Sequence, residues 1–351
     1  MSAAPHLPSA EQLAAALTAG VKGQVDLTSL TRGMYSTDAS NYRVVPQAVV
    51  FPRDTQDVAV VADVARGLGV PVTMRGAGTS CAGNAIGPGV VIDTSRHLTR
   101  ILDIDLEART ARVEPGVVMD TLQAALRPHG LRFGPDPSTH SRCTFGGMIG
   151  NNACGNHAVA YGRTSDNVAA LTMIDGRGHV IQAGNDLAAV PGLQDLVDQN
   201  LATLRTEFGR FGRQVSGYGL EHLLPERGHD LAKALVGSEG TCGIITEATL
   251  RLVPLAPAPA LLVLGFDDIA QAGDAVPALL ELQPLAVEGM DARLVDILKQ
   301  ARGAAAIPTL PEGAAWLMVE LESTDQAEAA GAAGRAAGAR SHRVLPQGAE
   351  A

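Results

Sequence analysis

The order of apolar and polar positions along the chain marks out short alternating elements. Ala48 to Phe51 is four apolar residues in a row ended by Pro52, the pattern of a buried strand. Asp54 then stands where a helix cap belongs, and Val58, Val61, Ala62, Ala65 and Leu68 recur at helical spacing until Gly69. Val70 to Met74 and Val90 to Asp93 read as strands separated by a glycine loop. Ile101 to Leu106 and Thr110 to Glu114 alternate in strand fashion, and Met119 to Leu126 is a helix closed by Pro128 and Gly130. Leu171 to Ile174 and His179 to Gln182 flank Asp175-Gly176-Arg177-Gly178, a hairpin signal.

Earlier in the chain, Ser9 and Gln12 form a capping box, while the segment from there to Tyr42 is only weakly readable. Later, Leu193 to Phe208 reads as one long helix and Ile244 to Val253 as a β-rich run. After Pro254 the texture changes: a Pro-rich hinge, a helix over Ile269 to Leu282, an apolar run Trp316 to Val319, and an Ala/Gly-rich tail. Each Gly costs a helix about 1 kcal/mol against Ala, so the tail is expected to be a poor helix that supplies little core. The organisation expected is an N-terminal helical lead-in over 1–44, a first domain over 45–255, and a second unit over 256–351 that stops early. The apolar face of that unfinished unit is expected to promote association.

Charge narrows the chemistry. With 27 Lys+Arg against 37 Asp+Glu, the 351-residue chain carries a formal charge of −10. That balance argues against a nucleic-acid surface, and any bound phosphate must be held mainly by local backbone donors. No apolar run is long enough for a membrane span, and the N-terminus lacks a signal-peptide pattern. The four scattered cysteines, Cys81, Cys143, Cys154 and Cys242, read as reduced intracellular thiols, and a cytoplasmic protein is expected.

Glycines cluster at 76–89, 146–155 and 237–243. Gly76-Ala77-Gly78 after a strand first suggests a dinucleotide-binding turn, but a Gly/Pro loop and another strand follow where that motif needs a helix. The other way to hold a diphosphate is a concave run of backbone N–H groups. Gly76, Gly78 and Gly83 permit such a run, Thr79 and Ser80 add hydroxyls, and Arg75 adds positive charge at the mouth. Gly146, Gly147, Gly150 and Gly155 offer a second wall, with Ser138, Thr144, Asn151 and Asn152 as polar contributors. Tight turns in a β-rich protein would explain one such cluster, but less readily three.

The strings RGAGTSCAG (75–83), GPDPS (134–138), CTFGGMIGNNACG (143–155), YGRTSDNV (161–168) and GSEGTCGIITEATLRL (237–252) carry a resemblance. In that order they resemble the PCMH-type FAD-binding domain of the vanillyl-alcohol oxidase/p-cresol methylhydroxylase flavoproteins. Within it they are similar to the glycolate oxidase, D-lactate dehydrogenase and D-2-hydroxyglutarate dehydrogenase branch. GGMIGNNACG and YGRTSDNV lean toward large bacterial members fused to an iron–sulfur domain. The resemblance implies an α+β fold, with two subdomains clasping FAD, followed by the start of an α+β cap that is truncated here. It implies that Arg75, Gly76, Ala77, Gly78, Thr79, Ser80 and Gly83 cradle the FAD diphosphate. Pro135, Asp136, Pro137 and Ser138, with Thr144, Gly146 and Gly147, would line the same groove. Asn151, Asn152, Gly155 and Gly162 would continue the wall, and Glu239, Gly240, Gly243 and Ile244 would approach the cofactor at its far end. Thr79 stands where some relatives carry a flavin-linking His, so non-covalent FAD is expected.

The implied reaction is oxidation of a D-2-hydroxy acid to a 2-oxo acid, with a base taking the hydroxyl proton while hydride moves to flavin N5. The catalytic His, the substrate Arg and any metal-binding His pair commonly lie in the cap, so no catalytic residue is assigned and no metal site is expected in this chain. His140, His157 and Tyr218 are candidates with bland alternatives, His222 and His229 look like exposed loop residues, and Asp291 reads most simply as a helix cap. Electrons would leave to an iron–sulfur protein, quinone or cytochrome outside this chain, which has no clustered cysteines. A place peripheral to the inner face of a membrane stays open. The alternative is a non-catalytic FAD-binding subunit or fragment, active only with a partner that supplies the cap and the electron acceptor.

Overall fold

The structure, a computed structural model, describes residues 9–212 and 217–346. The N-terminal stretch without a signal-peptide pattern, and the last residues of the Ala/Gly tail, lie outside them. The chain divides into two compact units. The first comprises Met1–Phe133, Pro137–Ala153 and Arg163–Leu252; the second comprises Gly134–Asp136, Cys154–Gly162 and Val253–Ala351.

The first unit contains two larger sheets. One has the spatial order Gln24–Asp26, Ala48–Phe51, Val90–Asp93, Val72–Arg75, and its last three strands are parallel, with Val49 opposite Val91 and Val91 opposite Thr73. Ala48–Phe51 and Val90–Asp93 are buried at every residue, which is why Ala48 to Phe51 and Val90 to Ile92 are apolar runs without alternation, while the buried Asp93 carboxylate is hydrogen-bonded by Tyr35 and Ser95. Helices Ala10–Gly20 and Thr55–Leu68 pack together, burying Leu13, Leu17, Val61 and Ala65 with Val50 and Ile92. Asp54 caps the second helix and Gly69 ends it at φ +64°, while the Ser9–Gln12 box caps the first. Asp57, fully buried, is compensated by the N–H groups of Lys22, Gly23 and Arg53 at 2.8–2.9 Å.

The other sheet is antiparallel, in the order Ile101–Asp105, Thr110–Val113, Ile244–Arg251, Val168–Ile174, Val180–Ala183. Its core takes in Met119, Leu122, Phe133, Phe145 and Met148, with the rings of Phe133 and Phe145 edge-to-face at 5.1 Å. The single helix expected over Leu193 to Phe208 is two, Leu193–Gln199 and Leu201–Glu207. Asn200 breaks it: its side-chain amide donates to the carbonyl of Leu196 at 2.7 Å, and its backbone leaves the helical region at φ −120°.

The second unit is a β-α-β-β-α-β arrangement with an extra helix, Ala292–Arg302, before its third strand. Its antiparallel sheet runs Ala286–Asp291, Ala315–Leu321, Ala260–Phe266, Ser341–Pro346. Helices Ile269–Leu280 and Thr324–Ala336 supply Ala272, Leu279, Ala327 and Ala330 to its core. The Ala/Gly tail therefore departs from expectation, since it forms a 13-residue helix and a core-bearing strand. Its glycines explain this. A Cβ on Gly334 would sit 2.6 Å from both methyls of Leu264, and one on Gly331 would sit 2.6 Å from the His342 ring. Close approach to the sheet offsets the low helix propensity. No helix among the described residues is long and apolar enough to cross a membrane.

Candidate cofactor cleft

The first unit holds a cleft of about 570 Å³, within the roughly 300–1,000 Å³ range usual for ligand sites. Its wall gathers Arg75, Gly76 and Gly83 from the first glycine loop with Gly146, Gly147 and Asn151 from the second. Glu239, Gly240, Gly243 and Ile244 come from the third. Three segments far apart in sequence thus meet, each placed by a regular element. Strand Val72–Arg75 releases the first loop, the short helix Phe145–Gly150 carries the second, and strand Ile244–Arg251 begins directly after the third.

The walls are locked to each other through backbone. The N–H of Gly237 donates to Ile149 at 2.8 Å and that of Glu239 to Gly150 at 2.9 Å. A Cβ on Gly76 would lie 2.1 Å from Thr144 Oγ1, one on Gly146 would lie 2.8 Å from Pro115 Cβ, and one on Gly243 would lie 2.6 Å from the Ile174 carbonyl. Only glycine allows these approaches. Glu239 turns at φ +52°, a conformation uncommon for a non-glycine residue.

Thr144 is the polar feature that fits an anion. It does not line the cleft but adjoins Gly76 and Gly147, which do. It is 2% exposed, starts helix Phe145–Gly150 without making a side-chain cap bond, and its Oγ1 has no hydrogen-bond partner among the described residues. A buried hydroxyl left in that state is costly unless a ligand completes it, and it donates readily to a phosphate oxygen. Together with wall positions that lack side chains, it suits the diphosphate of FAD. Asp175 is also on the wall, as an ionised carboxylate tied into its own hairpin. Burial raises its pKa, but the backbone N–H groups of His179 and Arg177 outweigh that and hold it below the usual value by bonding its carboxylate within the hairpin.

Other expected residues lie off this wall. Ala77, Gly78 and Thr79 belong to the loop but do not line the cleft, and the Ser80 hydroxyl bonds to Asn84 Oδ1 at 2.8 Å and accepts from the Ala82 N–H at 3.2 Å. Asn152 spends its Oδ1 on the N–H of Ser165 at 3.0 Å. Pro137 and Ser138 lie in the first unit away from the cleft wall, whereas Pro135, Asp136, Gly155 and Gly162 fall in the second unit. There, a Cβ on Gly155 would collide with the Asp136 carbonyl at 2.0 Å. The Asp136 carboxylate accepts from the His157 N–H at 3.1 Å and pairs with its Nδ1. His157, buried, also faces Glu320 at 3.2 Å from Nε2 and stacks on Tyr161, so it is a structural hub of that unit.

The remaining candidates divide. His140, exposed, pairs with Asp120 at 2.8 Å, and Tyr218 bonds to Thr241 Oγ1 at 2.8 Å. Asp291 caps helix Ala292–Arg302 by accepting from Leu294 N–H. His222 and His229 are not exposed as expected: burial holds the His222 pKa below its ordinary value, and the ring of His229 bonds to the Leu223 carbonyl at 3.0 Å. Sequence reading missed Ala62, Ala65 and Arg66, which line the cleft from helix Thr55–Leu68. Alanines at i and i+3 were a signal for a close-approach surface, but they are equally at home in a core.

Residues 46–184 match the FAD binding domain family, and residues 256–347 match the C-terminal domain of FAD linked oxidases. The chain belongs to the FAD-linked oxidase family. Its cofactor is FAD. It is 36% identical over 311 residues to the D-2-hydroxyglutarate dehydrogenase of Pseudomonas putida, covering 83% of this chain and 31% of that protein. The glycolate oxidase subunit GlcD of Escherichia coli K12 is 32% identical over 256 residues, covering 72% and 44% respectively. For the D-lactate dehydrogenase of Archaeoglobus fulgidus the figures are 31% over 313 residues, 87% and 62%. The chain thus spans about a third of the D-2-hydroxyglutarate dehydrogenase it matches. Among solved structures, an alkyldihydroxyacetonephosphate synthase superposes with a TM-score of 0.71 at 17% identity, over 99% of this chain and 62% of that one. That likeness is one of fold, and it agrees with the α+β architecture of this chain.

Proposed function

We propose that this chain is the FAD-binding portion of an enzyme that oxidises a D-2-hydroxy acid, such as D-lactate, glycolate or D-2-hydroxyglutarate, to its 2-oxo acid. The observation that carries the reading is the glycine-walled cleft, with the Thr144 hydroxyl beside its Gly76 and unpartnered among the described residues, in a chain whose relatives are named for such acids. FAD, when bound, supplies the acceptor for the substrate's two electrons. The chain's own residues do the holding. Backbone N–H groups of the first two glycine loops and the Thr144 hydroxyl bind the diphosphate, and the third loop closes the far end with backbone. Thr79 offers no imidazole for a covalent flavin link, so the flavin is held non-covalently. The substrate's base and carboxylate partner, and the electron acceptor (an iron–sulfur protein, quinone or cytochrome), are supplied outside the residues assigned here.

Anaerobic mixing of the FAD-loaded chain with each acid tests this. Bleaching of the flavin absorbance by one of the three is the expected result. A chain that binds FAD yet is bleached by none, with or without a partner protein, contradicts the reading.

A further inference from the structure

The matched FAD binding domain begins at residue 46, yet the first glycine loop is held by residues that precede it. Ala39 N–H donates to the Gly78 carbonyl at 3.1 Å. Asp38 accepts from the N–H of Ala85 at 3.3 Å, at the loop's other end, and from that of Ser40 at 2.9 Å. The Arg75 guanidinium lies 4.9 Å over the Tyr35 ring and donates from Nη1 to the Ala85 carbonyl at 3.1 Å. A Cβ on Gly78, at φ +68°, would come within 2.6 Å of Arg75 Nη2. Arg75 is therefore a strut inside the loop's curve, not only a charge at its mouth.

Tyr35 is itself fixed. Its hydroxyl donates to Asp93 at the end of strand Val90–Asp93, and its ring stands edge-on to Phe51 at 5.7 Å. We propose that Tyr35 and Asp38 are positioning residues: they hold Arg75 and the 76–85 loop in the curvature that grips the FAD diphosphate. The proposal rests on the FAD assignment. An arginine on an aromatic face that is bonded at the far edge keeps one orientation, and a loop tied at Gly78 and Ala85 keeps its N–H groups convergent before the ligand arrives. Burial, with the bonded Asp93, pushes the Tyr35 phenol up, so it remains a donor across the physiological range.

The test uses the full chain stripped of flavin, with equilibrium binding of FAD and of ADP, which keeps the diphosphate and lacks the flavin. Tyr35→Leu and Asp38→Ala are each expected to weaken FAD and ADP by the same factor, tenfold or more. Tyr35→Phe, which keeps the ring under Arg75, should recover most of that loss. Asp38→Ala removes no core side chain, so it keeps the test open if Tyr35→Leu fails to fold. Unchanged affinities for both ligands in the variants, or a loss for FAD with ADP unaffected, overturns the proposal while leaving FAD binding intact. A wild-type chain that binds neither ligand overturns the FAD assignment and this proposal with it.

Discussion

A methyl group on Gly76 would sit 2.1 Å from Oγ1 of Thr144, a buried hydroxyl that finds no partner among the described residues. The first glycine loop therefore presses against a side chain that adjoins the wall residues Gly76 and Gly147 without itself lining the cleft, and whose hydrogen-bonding capacity is unused. Thr144→Val keeps the shape and removes the hydroxyl. Because that group is unsatisfied, the flavin-free protein should be as stable as wild type or up to ~1 kcal/mol more so. A lost hydrogen bond to a charged phosphate, roughly 1.5–3 kcal/mol, should weaken FAD about 10- to 100-fold. Thermal unfolding of the flavin-free protein, paired with FAD titration, reads both effects. Unchanged FAD affinity would remove Thr144 from the site.

Gly147 and Gly89 separate binding from folding. Gly147 lines the cleft, and a Cβ there meets only Thr144 Oγ1, at 3.7 Å. Gly147→Phe should leave flavin-free folding nearly unaltered while abolishing FAD binding by filling the cleft. A Cβ on Gly89 would lie 1.9 Å from the Pro71 carbonyl, backbone that cannot yield. Gly89→Ala should lower the melting temperature of the flavin-free protein sharply.

The second unit offers a matched pair of glycines. Gly334→Ala overpacks against Leu264 and should cost about 1–3 kcal/mol. Gly273, within helix Ile269–Leu280, has open space around its added Cβ, so Gly273→Ala should stabilise by roughly 0.5–1 kcal/mol. Denaturant midpoints of the two variants should move in opposite directions.

The pair Lys233–Asp166, at 2.6 Å, gives a pH prediction. Burial raises the Asp166 pKa, but the bond from Lys233, the N–H of Arg163 and their charges outweigh it, leaving it below the ordinary 3.8. A lowered folded-state value means stability that is present above the unfolded pKa and lost as pH falls below it. Asp166→Asn should therefore cost stability near pH 7 and show a shallower acid loss below about pH 4. Parallel acid limbs in wild type and variant would show that the pair carries no such linkage.

Legibility in the sequence followed what each residue had to do. Unbroken apolar runs such as Ala48 to Phe51, and capped amphipathic helices such as Thr55–Leu68, were readable because burial and capping act locally. The three glycine clusters were readable as places of close backbone approach, because only glycine tolerates it, and all three contribute to one cleft. The split at Asn200 was not, since a side chain competing for its own helix's carbonyls leaves the apolar spacing intact. The Ala/Gly tail was misjudged because propensity weighs Gly331 and Gly334 alone, whereas Leu264 and His342 supply the reason for them. Tyr35 and Asp38 were invisible as loop supports, because contacts over roughly forty residues leave no periodic trace.

A crystal structure with FAD bound tests the central claim most directly. The diphosphate is expected within hydrogen-bond distance of backbone N–H groups in the first and second glycine loops and of Thr144 Oγ1. A diphosphate seated anywhere else, with the Thr144 hydroxyl still unpartnered, would contradict it.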